Sequence, residues 1–391
     1  MSQFIDVSSV PDHALDHGLE EMYKAIGEGG DDGTTRPHES PFVRELIERF
    51  TQRGLLQIHG VQTELDEWIK GEHFRPGVEV PAAFAGGILK WTPDELRLAK
   101  LYLESIPPAQ FGIDDWSLLV DYIAQRYLPP EFARTAAEWM ATKSTIMGKV
   151  QEAKPELEAP AVSVLLPAIP ETSAAAEAMF GLNRSQRAIM DYGQARCAEN
   201  ITGLTDSLRH RIKRVILAHQ EAEFIGDSAA TASSLQTQLL DEFGVLNRDW
   251  RRIAMTEASE NSNQGFIAAL DPGTMVRRQE RYQGACAFCR KIDGNEFKVV
   301  DPAQKIKNPE TDVWVGKTNI GRSASPMKRV NGVLMPRNAA ELWWPAAGVQ
   351  HPHCRGIWII IKQREKAGDA KFSAWLDDKL KAPPRPVVIA E

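Results

Sequence analysis

The sequence predicts an α+β chain: mainly helical N-terminal and central regions followed by a small, turn-rich α+β C-terminal domain. From Pro41 to about residue 270, apolar residues recur three and four apart, the period of helices that bury one face. Beyond Asp271-Pro272-Gly273 that period stops, and short apolar runs alternate with Gly, Pro and Asn turns. A chain of 391 residues is long enough for two or three domains with ordinary cores and needs no disulfides to fold.

Residues 1–40 run polar and acidic and end in GEGGDDGTTRPHESP, which predicts a loosely ordered acidic arm. Residues 41–153 predict a helical N-terminal domain. Its helices are FVRELIERFTQRGLL, TPDELRLAKLYLESI, IDDWSLLVDYIAQRYL and PEFARTAAEWMATKSTIMGKV, and Thr92-Pro93 with Glu95 forms a helix start. The prolines of 154–171 predict an extended linker, since proline cannot continue a helix. Residues 172–273 predict a second helical region. Its longest helix runs from about Asn183 to Glu223, with Cys197, Ile201, Leu204, Leu208, Ile212 and Val215 in one stripe, which makes Cys197 a buried core thiol. Two further helices are expected, over SLQTQLLDEFG and NRDWRRIAMTEASENSNQGFIAAL. Residues 274–365 predict the α+β domain, with strands at FKVV, DVWVG, GVLM and GIWIII, and 366–391 a tail whose end, KAPPRPVVIAE, reads as extended.

Charge and composition exclude some functions. A formal charge of −7 argues against coating nucleic acid through bulk charge. The Arg and Lys residues from Arg277 to Arg337 read as a solvated surface, the other reading being a basic face for DNA or an acidic partner. No signal-like start and no run of about 18 apolar residues occurs, so neither secretion nor membrane spanning is expected. Gly316-Lys317-Thr318 is no phosphate loop, because Thr311 stands where its first glycine belongs. Trp343-Trp344-Pro345 reads as core and turn rather than a base-stacking platform.

The chemistry-bearing pattern is Cys286-Ala-Phe-Cys289 with His351-Pro-His-Cys354. Two such pairs can complete the N/S tetrahedron that structural zinc prefers, giving the set Cys286, Cys289, His351 and Cys354, with His353 as the alternative imidazole. A reduced thiol cluster and a Cys289–Cys354 disulfide are the other readings. A redox CxxC is disfavoured because CAFCRKIDGNEF reads as leading into a turn, whereas that motif opens a helix in a βαβ setting.

Three stretches, WRRIAMTEASENSNQG, GACAFCRKIDGNEF and VQHPHCRGIWII, together resemble the Mu F-like head morphogenesis (minor head protein) family of tailed bacteriophages, over roughly residues 175 to 362. The matching positions are Arg252, Thr256, Glu257, Gly294, Pro352 and Arg355, besides the Cys and His pairs. Gly356 departs from the family pattern, which often has a second cysteine there, so a histidine must supply the fourth ligand if this corner binds metal. The resemblance implies a structural, non-enzymatic protein of the virion, at the portal vertex or capsid interior, present in the host cytoplasm during assembly. Its partners would be the portal protein, scaffold or major capsid protein, with contact to packaged DNA as a further expectation. No membrane and no small-molecule substrate are implied. Glu257 is expected in a structural role, pairing with Arg251 or Arg252 or holding a neighbouring turn, rather than in acid/base work. Two other functions compete. An HNH-like metal-dependent nuclease is short of histidines, since only His351 and His353 follow His219. A toxin would need an effector in the N-terminal helices, which carry no catalytic pattern.

Overall fold

The computed structural model describes residues 38–79, 91–282, 284–362 and 369–381. The acidic arm up to 37 and the extended end from 382 lie outside the described residues. The main elements are helices α1 (Pro41–Ile69), α2 (Pro93–Ser105), α3 (Ile113–Tyr127), α4 (Pro130–Ala153), α5 (Ala159–Ala168), α6 (Ser173–Phe180), α7 (Arg184–Phe224) and α8 (Ala232–Ala269). Strand β1 (Met275–Gln279), the short helix α9 (Ala287–Ile292), β2 (Glu296–Val299), β3 (Asp312–Val313), β4 (Met327–Val330), β5 (Val333–Pro336), β6 (Ile357–Lys362) and α10 (Ala370–Lys381) follow. The chain is mainly helical with a small sheet-bearing C-terminal region, as its periodicity implies. No described helix is long and apolar enough to cross a membrane.

The helix starts follow from local chemistry. Thr92 and Glu95 form a reciprocal capping box at α2. Asn183 and Gln186 do the same for α7, the Gln186 N–H donating to Asn183 Oδ1 at 2.8 Å and the Asn183 N–H to Gln186 Oε1 at 3.0 Å. α6 ends on Gly181 at φ 63°, a left-handed position that glycine fills without strain.

Several elements differ from expectation. α8 is one helix where two were expected. Gly244 interrupts it for only about 1 kcal/mol, which the burial of Phe243, Leu246 and Trp250 offsets. The expected linker contains α5. Its Pro160 sits in the first turn, where no N–H is needed, and Pro167 falls in the last. Val162, Leu165 and Leu166 bury its inner face, and Lys143 Nζ donates to the Leu166 carbonyl at 2.9 Å. The expected tail contains α10, which buries Phe372 and Leu376.

The chain divides into two compact units that interleave in sequence, and α1, α4, α7 and α8 each contribute residues to both. The first takes Thr51–Ala136 and Ala198–Arg251, among the described residues. It is all helical, with a core around Leu65, Leu103, Leu119, Ile123, Ile212 and Trp250. Gly54 gives room to the Trp250 indole, and Asp121 is bridged by Arg209 at 2.8 Å and Lys213 at 2.7 Å.

The second unit takes residues 38–50, Ala137–Cys197 and those from Arg252 onward. Its sheet runs β3-β2-β1-β6, with β1 antiparallel to β2 and β6 and β2 parallel to β3. One face of the sheet, with Val276, Phe297, Val299 and Trp358, packs on Phe266, Ile267 and Leu270 at the end of α8. β1 was not expected, because Arg277 and Arg278 mask its alternation. β4 and β5 form a separate hairpin closed by Asn331 and Gly332, both at positive φ.

In this unit α4 meets α8 backbone to backbone. A Cβ built on Gly148 would lie 2.1 Å from the Ser262 carbonyl oxygen, and one on Gly265 2.3 Å from that of Thr145. Gly265→Ala is therefore expected to destabilise the protein by about 1–3 kcal/mol, whereas Gly244→Ala, in open space, should stabilise by up to about 1 kcal/mol. Urea unfolding at unchanged m-value measures both, and equal midpoints for the two variants would refute the close approach.

Candidate metal centre

The two Cys/His pairs are brought together by different local devices. Cys286 is the N-cap of α9, its Sγ accepting the Cys289 N–H at 3.4 Å, so both sulfurs lie within one helical turn. CAFC thus opens a short helix where a turn was expected. The surrounding topology is not βαβ, since β1 and β2 on either side of α9 are antiparallel. On the other arm His351-Pro352-His353-Cys354 is a tight turn. The Cys354 N–H donates to the His351 carbonyl at 3.1 Å, and His353 sits at φ 66°. That turn sends His351 to the thiols and leaves His353 outside the cluster, with its backbone N–H on Thr256 Oγ1 at 3.2 Å.

Cys286, Cys289, His351 and Cys354 cluster as a group that could hold a metal ion. His351 Nε2 lies 3.2 Å from Cys286 Sγ and 3.3 Å from Cys289 Sγ, and Cys289 Sγ lies 3.7 Å from Cys354 Sγ. Tetrahedral zinc, with sulfur at about 2.3 Å and nitrogen at about 2.0–2.1 Å, has S···S edges of about 3.8 Å and S···N edges of about 3.5 Å. The donor set fits. His351 Nδ1 faces the Pro352 carbonyl at 2.7 Å, a contact that assigns the proton to Nδ1 and the lone pair to Nε2. Trp343 stacks on the imidazole at 5.4 Å, and Phe288 of CAFC packs edge-on against Trp343 at 5.6 Å. The tryptophan pair is thus packing, as expected.

The two thiols of the Cys289–Cys354 pair are pushed in opposite directions. The hydrogen bond from Cys289 and the Arg278 guanidinium hold the Cys354 thiol well below the usual range, against burial, while the same hydrogen bond and burial push Cys289 up. Glu280 also approaches Cys289 and Cys354, and burial raises its carboxyl. Cys197, by contrast, is a buried core thiol on α7, remote in sequence from either pair.

α8 pins the ligand-bearing loop through side chains at i, i+4 and i+7. Thr256 takes the His353 N–H, Glu260 Oε2 the Val349 N–H at 2.5 Å, and Asn263 Nδ2 donates to the Gly356 carbonyl at 3.0 Å. Burial, the largest influence on Glu260, raises its carboxyl. Gln350 closes the preceding turn through both Ala346 backbone groups, and Asn319 Nδ2 holds the Trp344 and Gln350 carbonyls.

The adjoining side of α8 fastens α7. Arg196 grips the fully buried Glu257 carboxylate with Nε at 3.0 Å and Nη2 at 2.8 Å, and Nη2 also reaches Asn261 at 3.1 Å. The bidentate partner of Glu257 is therefore Arg196, 61 residues upstream, where Arg251 or Arg252 was expected; helix packing, invisible to local spacing, supplies it. Of the other motif positions, Arg252 lies half-buried on α8 one turn before Thr256. Gly294, at φ 77°, donates to the Arg278 carbonyl, and Arg355 lies 4.3 Å over the Tyr282 ring.

The expected solvated basic surface is partly interior. Arg278 and Lys317 are buried. Lys317 Nζ donates to the Pro309 and Asp312 carbonyls beside the Trp314 and Trp344 rings, and burial lowers it to about 7, so it is committed to the fold. Comparisons with protein-family models, curated proteins and solved structures returned no match.

Arg196→Met should destabilise the chain by about 3 kcal/mol, the low end for a buried pair because Arg196 is a quarter exposed. Arg196→Lys should recover only part, lacking the two-pronged geometry. Urea unfolding reads both, and a neutral Met variant would remove the pair from the account of the site.

Proposed function

We propose that this chain is a structural minor head morphogenesis protein of a tailed bacteriophage, with its C-terminal α+β region locked by one zinc ion at Cys286, Cys289, His351 and Cys354. The supporting observation is convergence. The three stretches that carry the resemblance, on α8, at CAFC and at HPHCRG, meet in one corner through the His353–Thr256 contact and the Cys–His cluster. Zinc bound by four N/S ligands has no open position for substrate, so it cross-links β1–α9 to the loop before β6 instead of performing chemistry. The helical parts would contact the portal, scaffold or major capsid protein, within the virion and, during assembly, in the host cytoplasm.

Metal analysis of the full chain, purified without chelator, is expected to give about one zinc per chain, and Cys354→Ser to lose both the zinc and part of the stability. A metal-free wild type would refute the zinc lock. Co-expressed with the portal, scaffold and major capsid proteins, the chain should sediment with assembled heads. Exclusion from heads, or cleavage of supercoiled DNA with magnesium or manganese, would replace the head-protein reading with a nuclease.

A further inference from the structure

Arg278 is the feature of the second unit that the sequence least prepares for. It points inward from β1 on the same strand face as Val276, is 1 % exposed, and pairs in register with Trp358 of β6. A buried guanidinium needs an anion, because an isolated ionised group in the interior costs several kcal/mol. No carboxylate lies within ion-pair distance of it among the described residues. What it touches is Cys354: Nη2 donates to Sγ at 3.3 Å, with the Gly348 carbonyl 3.4 Å from Nη1 and the Trp358 ring 5.1 Å from Cζ.

The room for this contact comes from Gly356. A Cβ at that position would stand 2.7 Å from Arg278 Nε and 2.8 Å from Nη2. Glycine and arginine are therefore complementary here: with any larger residue at 356 the guanidinium could not lie where it does.

Charge arithmetic gives the contact a purpose. Three thiolates and one neutral imidazole around a dication leave one net negative charge, in a corner where Cys289 and Cys354 are buried. Arg278 brings a positive charge to that corner through a hydrogen bond to a ligand sulfur.

We infer that Arg278 is the positioning and charge-compensating residue of the metal centre, in van der Waals space kept open by Gly356, and that it controls how tightly the metal is retained. This rests on the zinc reading above. N–H···S donation withdraws charge from Cys354 Sγ and orients it, so its loss alters metal–sulfur bonding as well as packing.

The test uses the zinc-loaded full chain and three variants: Arg278→Met, Arg278→Lys and Gly356→Ala, which displaces the guanidinium without removing its charge. The readouts are the rate of zinc release to a chromogenic chelator and the sulfur-to-cobalt charge-transfer band of the cobalt-substituted protein. Arg278→Met is expected to release zinc about 10–100-fold faster and to shift the cobalt band. Arg278→Lys should restore part of the retention, and Gly356→Ala should fall between. If the Met variant fails to fold, Gly356→Ala and Arg278→Lys decide alone. Wild-type release rates and an unshifted band in the folded variants would overturn the inference and leave the zinc lock standing. A wild type that binds neither zinc nor cobalt would overturn both.

Discussion

The direct backbone contact between α4 and α8, made possible by Gly148 and Gly265, is the constraint on which the second unit depends. Helix axes ordinarily stay 8–10 Å apart because side chains intervene. Where a Cβ would strike a carbonyl oxygen at little over 2 Å, the separation is set by the main chains. Thr145 faces Gly265 and Ser262 faces Gly148 at this seam, and Thr142 and Ser144 on α4 and Ser259 on α8, near them in sequence, are buried too. Thr145 returns its hydroxyl to the Ala141 carbonyl at 2.7 Å and Ser144 to that of Met140, both within their own helix, whereas the buried Thr142 hydroxyl has no hydrogen-bond partner among the described residues.

Once α8 is set, its remaining faces act as a template. Phe266, Ile267 and Leu270 floor the sheet. Glu257 and Asn261 hold Arg196 of α7, and Thr256, Glu260 and Asn263 hold the loop that presents His351 and Cys354. A polar helix segment buried this completely is costly where groups go unpaired. These pairs engage Thr256, Glu257, Glu260, Asn261 Oδ1 and Asn263, while the Ser259 and Ser262 hydroxyls and Asn261 Nδ2 have no hydrogen-bond partner among the described residues. The stretch TEASENSNQG is therefore a docking surface for three neighbours at once. The same logic extends to the Cys/His corner, where Arg278 is buried against sulfur rather than carboxylate.

Much of this was legible in the chain itself. Helical periodicity located α1 to α4 and α7, and the Thr92–Glu95 capping box was readable because caps act over three residues. The CxxC and HPHC spacings named the cluster, since two-residue gaps confine ligand atoms to one side of a turn. Where local signals misled, tertiary burial had outweighed them. Prolines at the ends of α5 left its apolar face intact, and one glycine could not divide α8 while Phe243 and Trp250 flanked it with buried surface. Arg278 hid β1 because a charged residue breaks apolar alternation unless a partner for it is known.

The sequence by itself determined the fold class, the cysteines and the histidine pair from which a candidate metal site could be drawn, and the absence of an apolar stretch long enough to span a membrane. Those properties depend on residue type and on spacings of a few positions. Only the tertiary structure decided that His351 and not His353 faces the thiols, that Glu257 belongs to Arg196, and that Gly356 makes room for Arg278. Each of these joins residues about sixty or more positions apart, or depends on one φ angle in a turn, and in both cases the deciding quantity is a distance that helix packing sets.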